Sequence, residues 1–280
     1  MKITKYLLIF FLTITAYNAR SQDHEYIDSL LYIYNNIGDE QDFETLDKIQ
    51  NYYIEYSPEK AIKYAKELYH LSEDVLDLSY MDLSSSILGE AYYYLDDMNN
   101  SIKYFKIFLD VNKTQADTAG MAVAYNNLGI VSRANKNYHK AIEYYIESLH
   151  IKEQLNDNVG ISNSLNNIGV VYFKLKKYKE ALDCYKKAFN LVKSLNKPSD
   201  YSTSYLNIGE VYAKLKKFDS AENYFNKSIA ISDSIKDNYT LELIYECKYK
   251  MYKDKNELQK ALVCYENYVD LKKSRLNETL

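Results

Sequence analysis

Asparagine recurs at one position of this 280-residue chain, at intervals of 40 residues. Asn127, Asn167 and Asn207 each precede a Leu-Gly or Ile-Gly pair, and Asn126 and Asn166 stand beside the first two. A carboxamide both donates and accepts hydrogen bonds, so such a row matches the peptide units of an extended chain. If the row lies on helices packed about 8–10 Å apart, about three residues of extended peptide separate its members. The spacing predicts a site for peptide backbone; the alternative is that these side chains bond the backbone of the protein itself.

Other residue types with catalytic or ligand chemistry are scattered. The histidines lie in four unrelated settings, without the neighbours of a triad or a zinc site: His24, His70, His139 and His150. Cys184, Cys247 and Cys264 each fall within an amphipathic pattern, which predicts buried thiols. We therefore expect no catalytic residue, no cofactor-binding residue and no metal site, and we do not expect an enzyme.

The seven glycines all receive structural roles, which leaves none for a phosphate-binding loop. Gly38 is predicted to end a helix, and Gly120 and Gly160 to separate hairpins. The other four form one column when the chain is written in rows of 40 from Gln41. The six rows are 41–80, 81–120, 121–160, 161–200, 201–240 and 241–280.

Small and aromatic residues align over these rows, which is typical of a solenoid of repeated units. The glycine column is Gly89, Gly129, Gly169 and Gly209; the small column is Ala61, Ser101, Ala141, Ala181, Ala221 and Ala261; one aromatic column is Phe105, Tyr145, Tyr185, Phe225 and Tyr265; another is Tyr52, Tyr92, Tyr172, Tyr212 and Tyr252. Glycine in a helix costs about 1 kcal/mol relative to alanine. Four in register predict a point where two helices touch, with the aromatic columns filling the space between successive hairpins.

Each row carries two stretches of helical spacing around a short polar break, so it predicts a helix A, a turn and a helix B. Only 7 Gly and 2 Pro occur in the chain, which favours an all-helical protein over one of many strands. Pro58 is expected at the first position of a helix B, with Ser57 as its N-cap.

The columns resemble the tetratricopeptide repeat (TPR) pattern of Leu-Gly, Tyr, Ala and an aromatic residue over roughly 41–280. The motif residues are Leu128-Gly129, Ile168-Gly169 with Tyr172, Ile208-Gly209 with Tyr212, and Ala181 with Tyr185 and Ala188. The first row departs from this pattern at Ile49, which replaces the glycine. The sixth row has Lys248-Tyr249 in place of Leu-Gly, so its helix A is expected to pack less closely. The 40-residue period exceeds the usual 34 and is similar to that of kinesin light chains and bacterial peptide-sensing regulators.

The resemblance implies an all-α fold, a right-handed superhelical solenoid of antiparallel hairpins with a concave groove. In that family the position of the asparagine row faces the groove and grips a ligand's backbone. Arg133, Lys174 and Lys214 lie further along the same side and would favour an acidic ligand.

The N-terminus has the order of a secretory signal over residues 1–21: lysines, an apolar run, then small residues. Cleavage is expected between Ser21 and Gln22, which leaves no stable membrane span. Residues 22–40 are expected to hold a capping helix from Glu25 to Asn36. These features predict an exported protein, periplasmic or secreted; the alternative is anchoring by an uncleaved N-terminal segment.

The net charge of −4 argues against a nucleic-acid binder. The sequence predicts an exported scaffold that binds a protein or peptide in the groove, and self-association through the C-terminal repeat. The alternative is a truncated or solitary sensor domain of a bacterial membrane-bound signalling protein, a kinase or transcription regulator. The segments Tyr26–Leu31 and Tyr268–Lys273 resemble that class.

Overall fold

A computed structural model of the chain describes residues 25–36, 42–195 and 198–278. The predicted signal peptide, its cleavage point and Gly38 lie outside these ranges. All regular secondary structure within them is α-helix. None of these helices combines the length and the apolar character that crossing a membrane requires.

The described residues form thirteen helices in two compact units, divided after Asn135. The first unit contains α1 (25–36), α2 (Phe43–Tyr56), α3 (Pro58–Asp74), α4 (Leu78–Tyr94), α5 (Met98–Gln115) and α6 (Thr118–Ala134). The second contains α7 (Tyr138–Gln154), α8 (Asn158–Lys174), α9 (Tyr178–Leu195), α10 (Pro198–Lys214), α11 (Phe218–Ile235), α12 (Asn238–Asp254) and α13 (Leu258–Glu278). Even-numbered helices are the A helices and odd-numbered ones from α3 onward the B helices, so each unit is a TPR-like stack of antiparallel hairpins.

The turns between helices repeat every 20 residues, half the period of the sequence. Each described turn after α3 contains one residue with φ of 55–61°, in the left-handed region, whereas Ser57 between α2 and α3 is extended. None of these left-handed residues is glycine: Leu76, Asp96, Ala116, Lys136, Asn156, Lys176, Lys216, Lys236 and Asn256. After α3, Asp77 N–H donates to Ser72 O at 2.8 Å, and Leu76 N–H donates to Glu73 O at 3.2 Å. This is a Schellman ending. The Asp77 carboxylate also accepts from Ser79 N–H, so one residue ends a helix and caps the next.

The prediction that Gly120 and Gly160 separate hairpins is wrong. Each is the third residue of an A helix, and its N–H donates to the capping carboxylate of Asp117 or Asp157. Residue 120 is glycine because there is no space for a side chain: a Cβ on Gly120 would lie 1.6 Å from Asn112 Oδ1. The left-handed residues of these two turns are Ala116 and Asn156, four residues before Gly120 and Gly160, and neither is glycine.

The glycine column marks the contact of helix A with helix B, as expected. A Cβ would lie 2.6 Å from the Phe105 ring at Gly89 and 2.8 Å from the Phe225 ring at Gly209. Ser101 Oγ donates to Gly89 O at 2.7 Å, which places the small column against the same turn of helix A. The aromatic column thus fills the interior of each of these hairpins as well.

The two end repeats solve this contact differently. In the first, Ile49 takes the glycine position and Ala65 the aromatic position, and both are fully buried. In the sixth, Tyr249 takes the glycine position and its ring lies 5.2 Å from that of Tyr265. Tyr265 is 45% exposed, whereas Phe225 one repeat earlier is completely buried. A cavity of 310 Å³ adjoins both tyrosines, in keeping with the looser packing expected there.

The cysteines are packing residues, as predicted. Cys184 and Cys264 are buried, Cys247 is half-buried, and all three are free thiols. Burial raises the pKa of Cys184 to about 11 and that of Cys247 to about 12. The reactive thiolate form is therefore disfavoured at neutral pH.

Candidate functional site

In the first unit, Asn127 lines a cavity of 210 Å³ on the side of the A helices. The sequence places its lining at helical spacing on neighbouring helices: Glu90, Tyr93 and Tyr94 on α4, Phe105 on α5, and Asn127, Ile130 and Val131 on α6. Residues three or four apart share one face of a helix. Two A helices with Phe105 beneath them therefore form an apolar pocket edged by a carboxylate, a phenol and a carboxamide.

The polar edge of this cavity is partly organised. The Tyr94 hydroxyl donates to Glu90 Oε1 at 2.7 Å, and this bond raises the pKa of Tyr94 to about 12. Asn127 is half-buried, and its side chain has no hydrogen-bond partner among the described residues. Its donors and acceptor are available to a molecule entering the cavity.

A second cavity, of 150 Å³, lies in the second unit between α8, α9 and α10. Its lining is mostly small and polar: Val159, Ser162, Asn163, Asn166, Val192, Thr203 and Ser204. Asn166 Oδ1 is buried yet accepts no hydrogen bond. A buried unsatisfied acceptor costs about 1–3 kcal/mol, so a donor supplied from outside would be stabilising.

The remaining asparagines divide into two groups. Asn207 is half-buried and, like Asn127, makes no side-chain hydrogen bond to any described residue. Asn126 and Asn167 are half-buried and already have interaction partners. An internal structural role thus applies most naturally to those two, while the other members of the row remain open to ligand.

The structure brings two of the predicted basic residues together. Lys174 and Lys214 are exposed at the ends of α8 and α10. Their positive charges, together with that of Lys250 on α12, attract the Glu210 carboxylate. Burial raises the pKa of Glu210, and the three lysines oppose that shift. Lys250 also pairs with Glu246 at 2.6 Å.

Arg133 belongs to the first unit, whereas Lys174 and Lys214 belong to the second. It is half-buried on α6 and already has interaction partners. Within the described ranges, no three His, Cys, Asp or Glu side chains are grouped so that they would hold a metal ion.

Sequence reasoning missed Glu90, Tyr94, Glu210 and Lys250. A signal was present, because Glu90, Glu210 and Lys250 occupy one column, three residues after the asparagine column. That interval is close to one helical turn, so the two columns share a face. Without coordinates, charges in this column are indistinguishable from solvated surface residues.

Comparison with known proteins gives the same assignment as the fold. The tetratricopeptide repeat family model matches residues 120–194 and 160–234. No curated protein sequence matches the chain.

Three similar solved structures share the architecture. A STAND protein with a tetratricopeptide repeat sensor from Pyrococcus horikoshii has a TM-score of 0.72 at 20% identity, covering 93% of this chain and 41% of its own. The apo form of RapI has a TM-score of 0.68 at 14% identity, covering 91% and 99%. A Rap protein complexed with Competence and Sporulation Factor has a TM-score of 0.62 at 17% identity, covering 88% and 79%. The family match identifies residues 120–234 as tetratricopeptide repeats, and the repeated hairpins and these neighbours show that the described chain has the same TPR-like fold.

Proposed function

We propose that this protein is a binding scaffold that holds an extended peptide, or a segment of a partner protein, against its A helices. The observation that carries the proposal is that carboxamides without partners line both cavities, Asn127 in the first unit and Asn166 in the second. Each offers the donor and acceptor pair that a peptide unit needs. Asn207 extends the same row.

Binding rather than catalysis is part of this proposal. A carboxamide supplies hydrogen bonds but neither a nucleophile nor an acid or base at neutral pH. A neighbouring fold, the Rap protein, was solved in complex with Competence and Sporulation Factor. That complex supports the idea that such a stack accommodates a ligand, without identifying one for this chain.

The binding test compares the protein with a variant in which Asn127, Asn166 and Asn207 are all alanine. The probe is a degenerate library of acetylated, amidated octapeptides, and a bacterial periplasmic extract supplies partner proteins. Each net hydrogen bond contributes about 0.5–1.5 kcal/mol, so binding should weaken about tenfold to a thousandfold. The melting temperature should change little, because alanine is the better helix former.

The matched control replaces three exposed asparagines, Asn99, Asn223 and Asn267, by alanine. It should bind like the wild type. If the triple variant at the asparagine row melts early and still binds the same peptides and partners, these asparagines are structural and the proposal fails.

We further propose that the protein is exported, periplasmic or secreted, through cleavage of residues 1–21. Expressed in a Gram-negative host, the mature protein should fractionate with the periplasm and begin at Gln22. Cytosolic protein that retains Met1 would contradict export, and an uncleaved membrane-bound form would support the N-terminal anchor.

The sensor alternative is favoured by the likeness to a STAND protein described as having a tetratricopeptide repeat sensor, of which this chain covers 41%. Sequencing the gene beyond the codon for Leu280 tests it. An in-frame membrane span followed by an output domain would select the sensor role, and a stop codon would favour the solitary scaffold.

A further inference from the structure

Two carboxylates occupy the same column of the repeat, one in each unit, but their surroundings differ. Glu210 lies among Lys174, Lys214 and Lys250, whose charges stabilise its ionised form. Glu90 stands at the same position three repeats earlier. The residues equivalent to those three lysines are Ile54, Tyr94 and Ile130.

Glu90 therefore has apolar and aromatic neighbours at the positions where Glu210 has cations. Among the described residues Glu90 forms no ion pair, and its one hydrogen bond comes from the Tyr94 hydroxyl to Oε1. The carboxylate is half-buried at the edge of the 210 Å³ cavity. An acceptor-only group with two oxygens retains hydrogen-bonding capacity after a single bond from a phenol.

We propose that this cavity binds the cationic side chain of a lysine or arginine in the peptide ligand. The methylene stem would lie against Tyr93, Ile130 and Val131, as such stems cover apolar surface elsewhere. The charged head would pair with the free oxygen of Glu90. The neighbouring aromatic rings would add a cation–π attraction.

The position of Asn127 in the same cavity completes the recognition of one residue. Its carboxamide would bind the backbone of the residue whose side chain enters the pocket. The inference rests on the proposed peptide-binding function, since it names the side chain that this part of the site selects. It adds a feature that the asparagine row lacks, because backbone contacts do not discriminate among side chains.

The experiment uses the full-length protein and the degenerate octapeptide library, with the composition of bound peptides read by sequencing. Lysine and arginine should be enriched at one position, and norleucine at that position should weaken binding about tenfold. Glu90→Gln keeps the size and the Tyr94 contact but removes the charge. It should abolish the enrichment and weaken binding of the lysine peptide about tenfold, with unchanged melting temperature.

Glu147→Gln, at an exposed position on α7, is the matched control and should preserve the enrichment. Peptide binding without lysine or arginine enrichment, or enrichment that survives in Glu90→Gln, would refute the cation pocket and leave the scaffold function intact. A preference for norleucine would assign the cavity to an apolar side chain instead. Absence of binding to any peptide would refute the proposed function itself.

Discussion

In the first repeat the large and small residues of the glycine and aromatic columns are exchanged relative to the later repeats. This difference allows the packing within a hairpin to be tested. In the fifth repeat, Gly209 admits the Phe225 ring, and an added Cβ would lie 2.8 Å from that ring. In the first repeat, Ile49 and Ala65 hold the same two positions with the sizes reversed, and both are fully buried. We predict that Gly209→Ile and Phe225→Ala are each destabilising alone and compensate one another when combined.

The magnitudes follow from the contacts. Gly209→Ile inserts a branched side chain where the ring of a completely buried phenylalanine lies, and such overpacking typically costs about 1–3 kcal/mol. The better helix propensity of isoleucine returns roughly 0.5 kcal/mol. Phe225→Ala removes the ring at a cost of about 3–5 kcal/mol. In the double variant isoleucine fills part of the space that the ring vacates, so the loss should fall short of the sum by at least about 1 kcal/mol.

The assay is urea unfolding followed by circular dichroism at 222 nm for the wild type and the three variants, with Asn223→Ile as an exposed control on α11. The control should shift the midpoint little. An additive double variant would show that the glycine column does not exist to admit the ring, and that the first repeat is held together by other contacts.

Three further predictions follow from the structure. Lys176→Gly should raise the melting temperature, because a left-handed φ of 60° costs a residue with a side chain about 1–2 kcal/mol. Lys179→Gly within α9 should lower the melting temperature, because glycine is the poorer helix former. Equal effects of the two substitutions would contradict the turn geometry. Burial raises the pKa of Asp82 to about 6 from the 3.8 of the unfolded chain, so the folded state binds more protons between these values and stability should fall as pH rises through that window. The Asp82→Asn variant should lose this decline in pH-dependent melting, and an unchanged pH profile would count against the assignment. Leu258 and Leu262, 65% and 50% exposed at the last hairpin, should mediate self-association; replacing both by Gln should abolish any concentration dependence in sedimentation velocity, and a wild type that is monomeric at all concentrations would refute the idea.

Much of the fold was predictable because each feature depends on residues close together in sequence. The helical spacing within a row, Pro58 after Ser57 and the spacing of the glycine and small columns all predict hairpins, and the structure confirms them. The buried state of Cys184 and Cys264 followed from the same periodicity. The candidate site was predictable only in part: the asparagine row was visible, whereas the role of Glu90 was not.

The sequence by itself determined that this chain is a stack of helical hairpins, because a period of 40 with small residues in register requires helices that touch at one point. Only the tertiary structure showed the backbone conformation of the turns and which side chains meet on the A-helix faces. The 20-residue backbone period arises from hydrogen bonds that hold Lys176 and Lys216 in the left-handed region, a conformation that lysine does not predict. The contrast between Glu90 and Glu210 likewise depends on side chains from adjacent A helices, since a carboxylate's charge is balanced by its neighbours in space, not in sequence.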